Sequence, residues 1–145
     1  QLLAEALLPL GADVYYYSRS RKKEFEAKGL QYLSLEELLK TSEIITLHLP
    51  KNTKLLSEKE FEAFGSGKIL INTSLGLPFE EKAFVNWIKA EGNFAIFDGD
   101  GGASLSEDTK GINRVISHKK SAGWSAETQR RLSEKVLENL KAYFN

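Results

Sequence analysis

The chain has 145 residues, enough for one domain with a real core, and 41% hydrophobic with 28% charged residues is an ordinary composition for a globular domain. Twenty basic residues balance twenty acidic ones, which argues against a nucleic-acid or anionic-membrane surface as the main partner. The absence of cysteine excludes disulfides and thiolate metal sites, and two distant histidines, His48 and His118, make a histidine-rich zinc site a poor expectation, so no metal site is assigned.

In chain order, Leu2, Leu3, Ala6, Leu7 and Leu10 recur at helical spacing, and Gly11 ends the run. Val14 to Tyr17 reads as a short aromatic strand, and Arg21 to Lys28 as a charged helix closed by Gly29. After a short strand, Leu30 to Leu33, Ser34 caps a helix over Leu35 to Lys40, with Glu37 completing a capping box. Ile44 to Leu47 is a buried strand that runs into His48-Leu49-Pro50, where proline stops it. Ser57 with Glu60 repeats the capping signature before a helix through Phe64.

Lys68 to Asn72 is the next strand, and it stops abruptly at the small polar turn Thr73-Ser74. Phe79 to Ala90 is amphipathic, with Ala83, Phe84, Trp87 and Ile88 on one face. A strand over Phe94 to Phe97 ends at Asp98 and opens a glycine-rich loop, Gly99 to Gly111. Arg114 to Ile116 is a last short strand. Ser125 then opens a long helix, Ala126 to Phe144, striped by Leu132, Val136, Leu137 and Leu140. Strands alternate with helices, so the fold class is α/β, a doubly wound parallel sheet in three layers. No apolar run reaches membrane-spanning length and no leader is visible, so a cytoplasmic location is expected.

Five segments in order resemble the NAD(P)-binding domain of the D-isomer-specific 2-hydroxyacid dehydrogenases. They are QLLAEALLPLGADVYYYSRS, SLEELLKTSEIITLHLPKNTKLL, GKILINTSLG, FAIFDGD and SAGWSAETQRRLSEKVLENLKAYF. The resemblance implies a Rossmann-type fold. In the family an innermost strand and a G-x-G-x-x-G loop precede the first helix, and that loop cradles the pyrophosphate. This chain starts just past that place, so residues 1–145 are expected to be a dinucleotide-binding domain incomplete at its N-terminal strand, without the substrate domain. An open sheet centre invites unwanted pairing, so a longer native polypeptide or a partner chain is expected to supply the strand.

The resemblance also implies site residues. Asp98 aligns with the family aspartate that hydrogen-bonds the nicotinamide carboxamide; a plain turn residue is the alternative. Thr73 and Ser74 match the loop against the nicotinamide half, and His48, Leu49 and Pro50 match the segment passing the adenosine side. NAD-selective enzymes carry an acid after the second strand; here Ser18 stands there, followed by Arg19 and Arg21. That pattern favours NADP, with NAD remaining open, against the plainer reading of a solvated basic cluster.

The catalytic positions depart from the family pattern. Leu75 stands where the family arginine grips the substrate carboxylate, and leucine offers no fork. Counting back from Ala122 puts Lys120 in the place of the catalytic histidine, with His118 two residues too early, and no acid occupies the orienting position at Gly101-Gly102-Ala103. Lys120 or His118 are thus the acid/base candidates, each also readable as an ordinary solvated side chain. The resemblance implies a reductase of a small 2-oxo acid, dimeric, with substituted catalytic residues. The alternative is a non-catalytic dinucleotide-binding sensor or scaffold.

Overall fold

The computed structural model describes residues 2–109, 111–121, 123 and 125–144. Seven helices and six strands alternate along them. They are α1 (Leu2–Leu7), β1 (Tyr15–Tyr16), α2 (Lys23–Glu26), β2 (Gln31–Tyr32), α3 (Leu35–Thr41), β3 (Ile44–Leu47), α4 (Glu58–Phe64), β4 (Ile69–Asn72), α5 (Glu81–Lys89), β5 (Phe94–Phe97), α6 (Gly99–Gly102), β6 (Val115–Ser117) and α7 (Ala126–Phe144). Short 3-10 turns follow α1 at Leu8–Leu10 and precede β6 at Glu107–Thr109.

All strand pairs are parallel. β3, β4, β5 and β6 form one sheet in that order, and β1 pairs with β2 in a second, two-stranded one. The register sets Leu47 beside Asn72 and Asn72 beside Phe97, so three strands end level at one edge. Among the described residues no strand joins β1 to β3, and the sheet parts where the resemblance places the innermost strand.

Alternation along the strands builds the core. Ile45, Leu47, Leu70, Ala95 and Phe97 point to one face and meet Leu39 of α3, Phe61 and Phe64 of α4, and Ala83, Phe84, Trp87 and Ile88 of α5. Burying each such side chain contributes about 1.5–3 kcal/mol. Phe84 sits at the centre, with its ring 4.8 Å from that of Phe79 and 5.7 Å from that of Phe97. The helix face expected from the spacing in α5 is the buried one.

Several elements differ from expectation. β1 and α2 are shorter than the apolar and charged runs suggested, because Lys22 is extended and the chain turns around the Tyr16 hydroxyl. The glycine-rich loop begins with a helical turn, α6, capped by Asp98. The Ser34 capping box is complete, with Ser34 Oγ accepting from Glu37 N and the Glu37 carboxylate accepting from Ser34 N. At Ser57 the Glu60 carboxylate accepts from both the backbone N–H, at 2.9 Å, and the hydroxyl, at 2.5 Å. α1 and α7 bury none of their residues, and the Leu132–Leu140 stripe is exposed. Among the described residues no helix is long and apolar enough to cross a membrane.

Candidate functional site

The level ends of β3, β4 and β5 bring their following loops together. Open α/β sheets bind ligands outside this carboxyl edge. Leu49 N donates to Ser74 Oγ at 2.8 Å, and Ser74 N donates to Asn72 Oδ1 at 3.1 Å. Asp98 N reaches Asn72 O at 3.4 Å. One hydrogen-bonded chain therefore runs from β3 through β4 to β5.

The His48 ring lies between two hydroxyls, with Thr46 Oγ1 2.9 Å from Nε2 and Thr73 Oγ1 3.0 Å from Nδ1. The residue as a whole is exposed at the rim, while its ring is partly desolvated. That desolvation holds its pKa below the ordinary histidine value. Pro50 follows and turns the chain, its carbonyl accepting from Thr53 N.

Asp98 caps α6, with Oδ1 accepting from Gly101 N at 2.7 Å. The turn is glycine-rich because it is crowded. A Cβ on Gly99 would lie 2.8 Å from Lys119 O, one on Gly101 2.5 Å from Asn72 O, and one on Gly102 2.4 Å from Ser117 Oγ. Gly99 N donates to Lys120 O at 3.0 Å, so the segment carrying Lys120 is pinned beside Asp98 through its backbone. His118 N continues the pairing with β5 by donating to Phe97 O. The side chains of His118 and Lys120 are both exposed. Ala122 and Trp124, used above to align this segment, lie outside the described residues. Leu75 projects from the loop after β4 with 56% of its surface exposed.

Ser18, Arg19 and Arg21 follow β1, in the two-stranded sheet. Ser18 Oγ donates to Ser20 O at 2.5 Å. Arg21 makes a forked contact with Glu26, Nε to Oε1 at 3.0 Å and Nη2 to Oε2 at 2.6 Å, and lies 5.4 Å from the centre of the Tyr32 ring. This hydrogen-bonded pairing holds the Glu26 carboxyl below, and the Arg21 guanidinium above, their ordinary values. Arg19 is exposed and has no hydrogen bond or ion pair among the described residues.

His48, Leu49, Thr73, Ser74 and Asp98 are thus brought to one edge, with the Lys120 backbone beside them. Sequence reasoning passed over Asn72, the polar residue that closes the apolar run of β4 and ties these loops together. The available signal was its place, a carboxamide aligned with core positions of both neighbouring strands. Among the described residues no cluster of metal-ligating side chains forms.

A parallel α/β domain whose loops meet at the carboxyl edge has the Rossmann-like architecture, in which ligands bind at that edge. The chain belongs to the D-isomer specific 2-hydroxyacid dehydrogenase family, whose NAD binding domain profile matches residues 1–100. It is 38% identical to a glyoxylate reductase of Thermococcus litoralis over 61% of this chain and 28% of that protein. It is 31% identical to a glyoxylate reductase of Aeropyrum pernix over 97% of this chain and 44% of that one. The fold is that of an NADPH-dependent glyoxylate/hydroxypyruvate reductase from Sinorhizobium meliloti, with TM-score 0.81 and 22% identity over 99% of this chain and 45% of that chain. The chain spans less than half the length of the curated relatives it matches.

Proposed function

We propose that the chain, residues 1–145, is the dinucleotide-binding domain of an oxidoreductase that reduces a small 2-oxo acid, that it prefers NADP, and that its catalytic positions are substituted. The observation that carries the reading is the joining of the His48, Ser74 and Asp98 loops at the carboxyl edge by one hydrogen-bond chain. The residues fit a dinucleotide at its two ends. Ser18 and Arg19 stand at the ribose end with no acid to repel an added phosphate, and Arg19 is uncommitted where Arg21 is neutralised by Glu26. Thr73, Ser74 and Asp98 stand at the nicotinamide end, and His48, Leu49 and Pro50 along the adenosine side. The glycine turn that cradles the pyrophosphate in the family is not among these residues.

When bound, the dinucleotide supplies the hydride. The protein's task is then to orient the 2-oxo acid and protonate its carbonyl oxygen. Lys120 or His118 is the proton donor, each on the segment beside Asp98. Leu75 gives the substrate carboxylate no charge from the loop after β4. A homodimer is the expected assembly, by family resemblance, and a cytoplasmic location goes with this reading.

Titration of the full chain with NADPH and NADH, followed by tryptophan fluorescence, tests this. Saturable binding with NADPH preferred supports it, and binding of neither rejects it. The exposed Leu75 favours a second reading, a non-catalytic dinucleotide-binding sensor or scaffold. Combining Leu75→Arg, Ala103→Glu and Lys120→His separates the two. Turnover of glyoxylate by the triple variant marks an otherwise intact active site, and silence in a variant that still binds NADPH favours the binding module.

A further inference from the structure

We infer that Asn72 is a positioning residue that holds the loop after β4 and the turn after β5 at one fixed separation, and so sets dinucleotide affinity. The inference rests on the dinucleotide reading of this edge. Asn72 is completely buried, and every polar atom of its carboxamide is used. Nδ2 donates to Gly76 O at 2.9 Å and to Gly101 O at 3.3 Å, while Oδ1 accepts from Ser74 N at 3.1 Å. One donor group thus reaches both loops, Thr73–Leu77 on one side and Asp98–Gly102 on the other. Its backbone carbonyl closes the same gap, since it receives Asp98 N and allows Gly101 no Cβ. A fully satisfied buried network of this kind permits one arrangement and resists others. Leu75, between Ser74 and Gly76, and Asp98, which caps Gly101, are then positioned by a side chain that touches no ligand.

Two variants isolate the role. Asn72→Ser removes the reach to Gly76 and Gly101. Asn72→Asp keeps an acceptor for Ser74 N but turns a carboxylate toward two carbonyl oxygens, and protonation restores one donor. The full chain and both variants are titrated with NADPH by calorimetry beside thermal melts, at temperatures where each is folded. Asp98 and Asp100 on the turn after β5, and His48 against Thr73 of the loop after β4, are titratable groups on the loops Asn72 joins, so the parent chain is run at each pH as control.

Asn72→Ser is expected to weaken NADPH binding about tenfold, the scale of one buried hydrogen bond lost. Asn72→Asp is expected to do so at about pH 8 and to recover most of the affinity near about pH 5.5, unlike the parent, as a buried carboxyl protonates. Affinity within about twofold of the parent in a folded Asn72→Ser overturns the inference, since it leaves no room for a lost hydrogen bond.

If the parent binds neither dinucleotide, the dinucleotide reading fails, and the positioning role is read by amide exchange instead. The Gly101 N–H bonds to Asp98, not to Asn72. Its exchange accelerating together with that of Ser74 N–H in the variants supports the coupling. Unchanged Gly101 protection overturns it, as does failure of both variants to fold, which would make Asn72 a determinant of the fold alone.

Discussion

Arg21 and Glu26 close a forked ion pair across the first turn of α2, and the Tyr16 hydroxyl donates to the same carboxylate at 3.0 Å. The pair takes one of two neighbouring arginines out of play and leaves Arg19 exposed beside Ser18. Arg19→Ala is therefore expected to weaken NADPH about tenfold while sparing NADH, the loss of one charge-assisted phosphate contact. Arg21→Ala is expected to act on both dinucleotides alike. Competition titrations with the two cofactors check this, and an equal loss for both from Arg19→Ala would reject it.

Gly101 is buried, and an added Cβ meets the Asn72 carbonyl at 2.5 Å. Gly101→Ala is expected to cost about 1–3 kcal/mol, the scale of overpacking at a rigid backbone. Urea unfolding measures it. At Gly111, where a Cβ meets nothing within 4 Å, the positive φ of 84° is the only obstacle. Gly111→Asn, which tolerates that conformation, is expected to change stability by less than about 1 kcal/mol.

Phe84 is fully buried among Phe61, Phe79, Trp87 and Phe97. Phe84→Ala is expected to destabilise by about 3–5 kcal/mol, and Phe84→Leu by much less. The urea midpoint should fall in that order.

Acid should weaken the fold. Hydrogen bonds from the Ser57 hydroxyl and backbone N–H hold Glu60 below the ordinary carboxylate pKa, and desolvation holds His48 below the ordinary histidine value. In both cases the unfolded chain binds the proton more readily, so stability rises with pH. The His48 contribution is complete above about pH 6.5 and is lost as pH falls through the folded pKa; the Glu60 contribution is complete above about pH 4.3 and is lost lower still. Glu60→Gln is expected to flatten the lower limb of a stability–pH curve, and His48→Gln the upper limb.

Much of the fold was legible because short-range signals agreed. The serines at 34 and 57 with glutamates three residues on, the β-branched run Ile44-Ile45-Thr46, and the apolar spacing of α5 all specify local structure without reference to distant residues. The short β1 and α2 were not legible, because the Tyr16 hydroxyl that shapes them acts six residues away on Lys22. The α6 turn is not legible as a helix, since three glycines carry no helical preference and Gly99 N is held by the carbonyl of the distant Lys120 while Asp98 caps the turn through Gly101 N. At the site, alignment to the family picked out Ser74 and Asp98, but Asn72 looked like the end of a strand. Its role depends on the register that sets β4 between β3 and β5.

The crowding of α6 also bears on how this chain can change over generations. Of the four residues in Gly99–Gly102, three meet a neighbour's atom before they could carry any side chain. Asp100 already carries a carboxylate, so a new acidic group enters this stretch only at Ala103, at its far end. Any added carboxylate in this turn therefore has one uncrowded door, and a library randomised at Ala103 samples it directly.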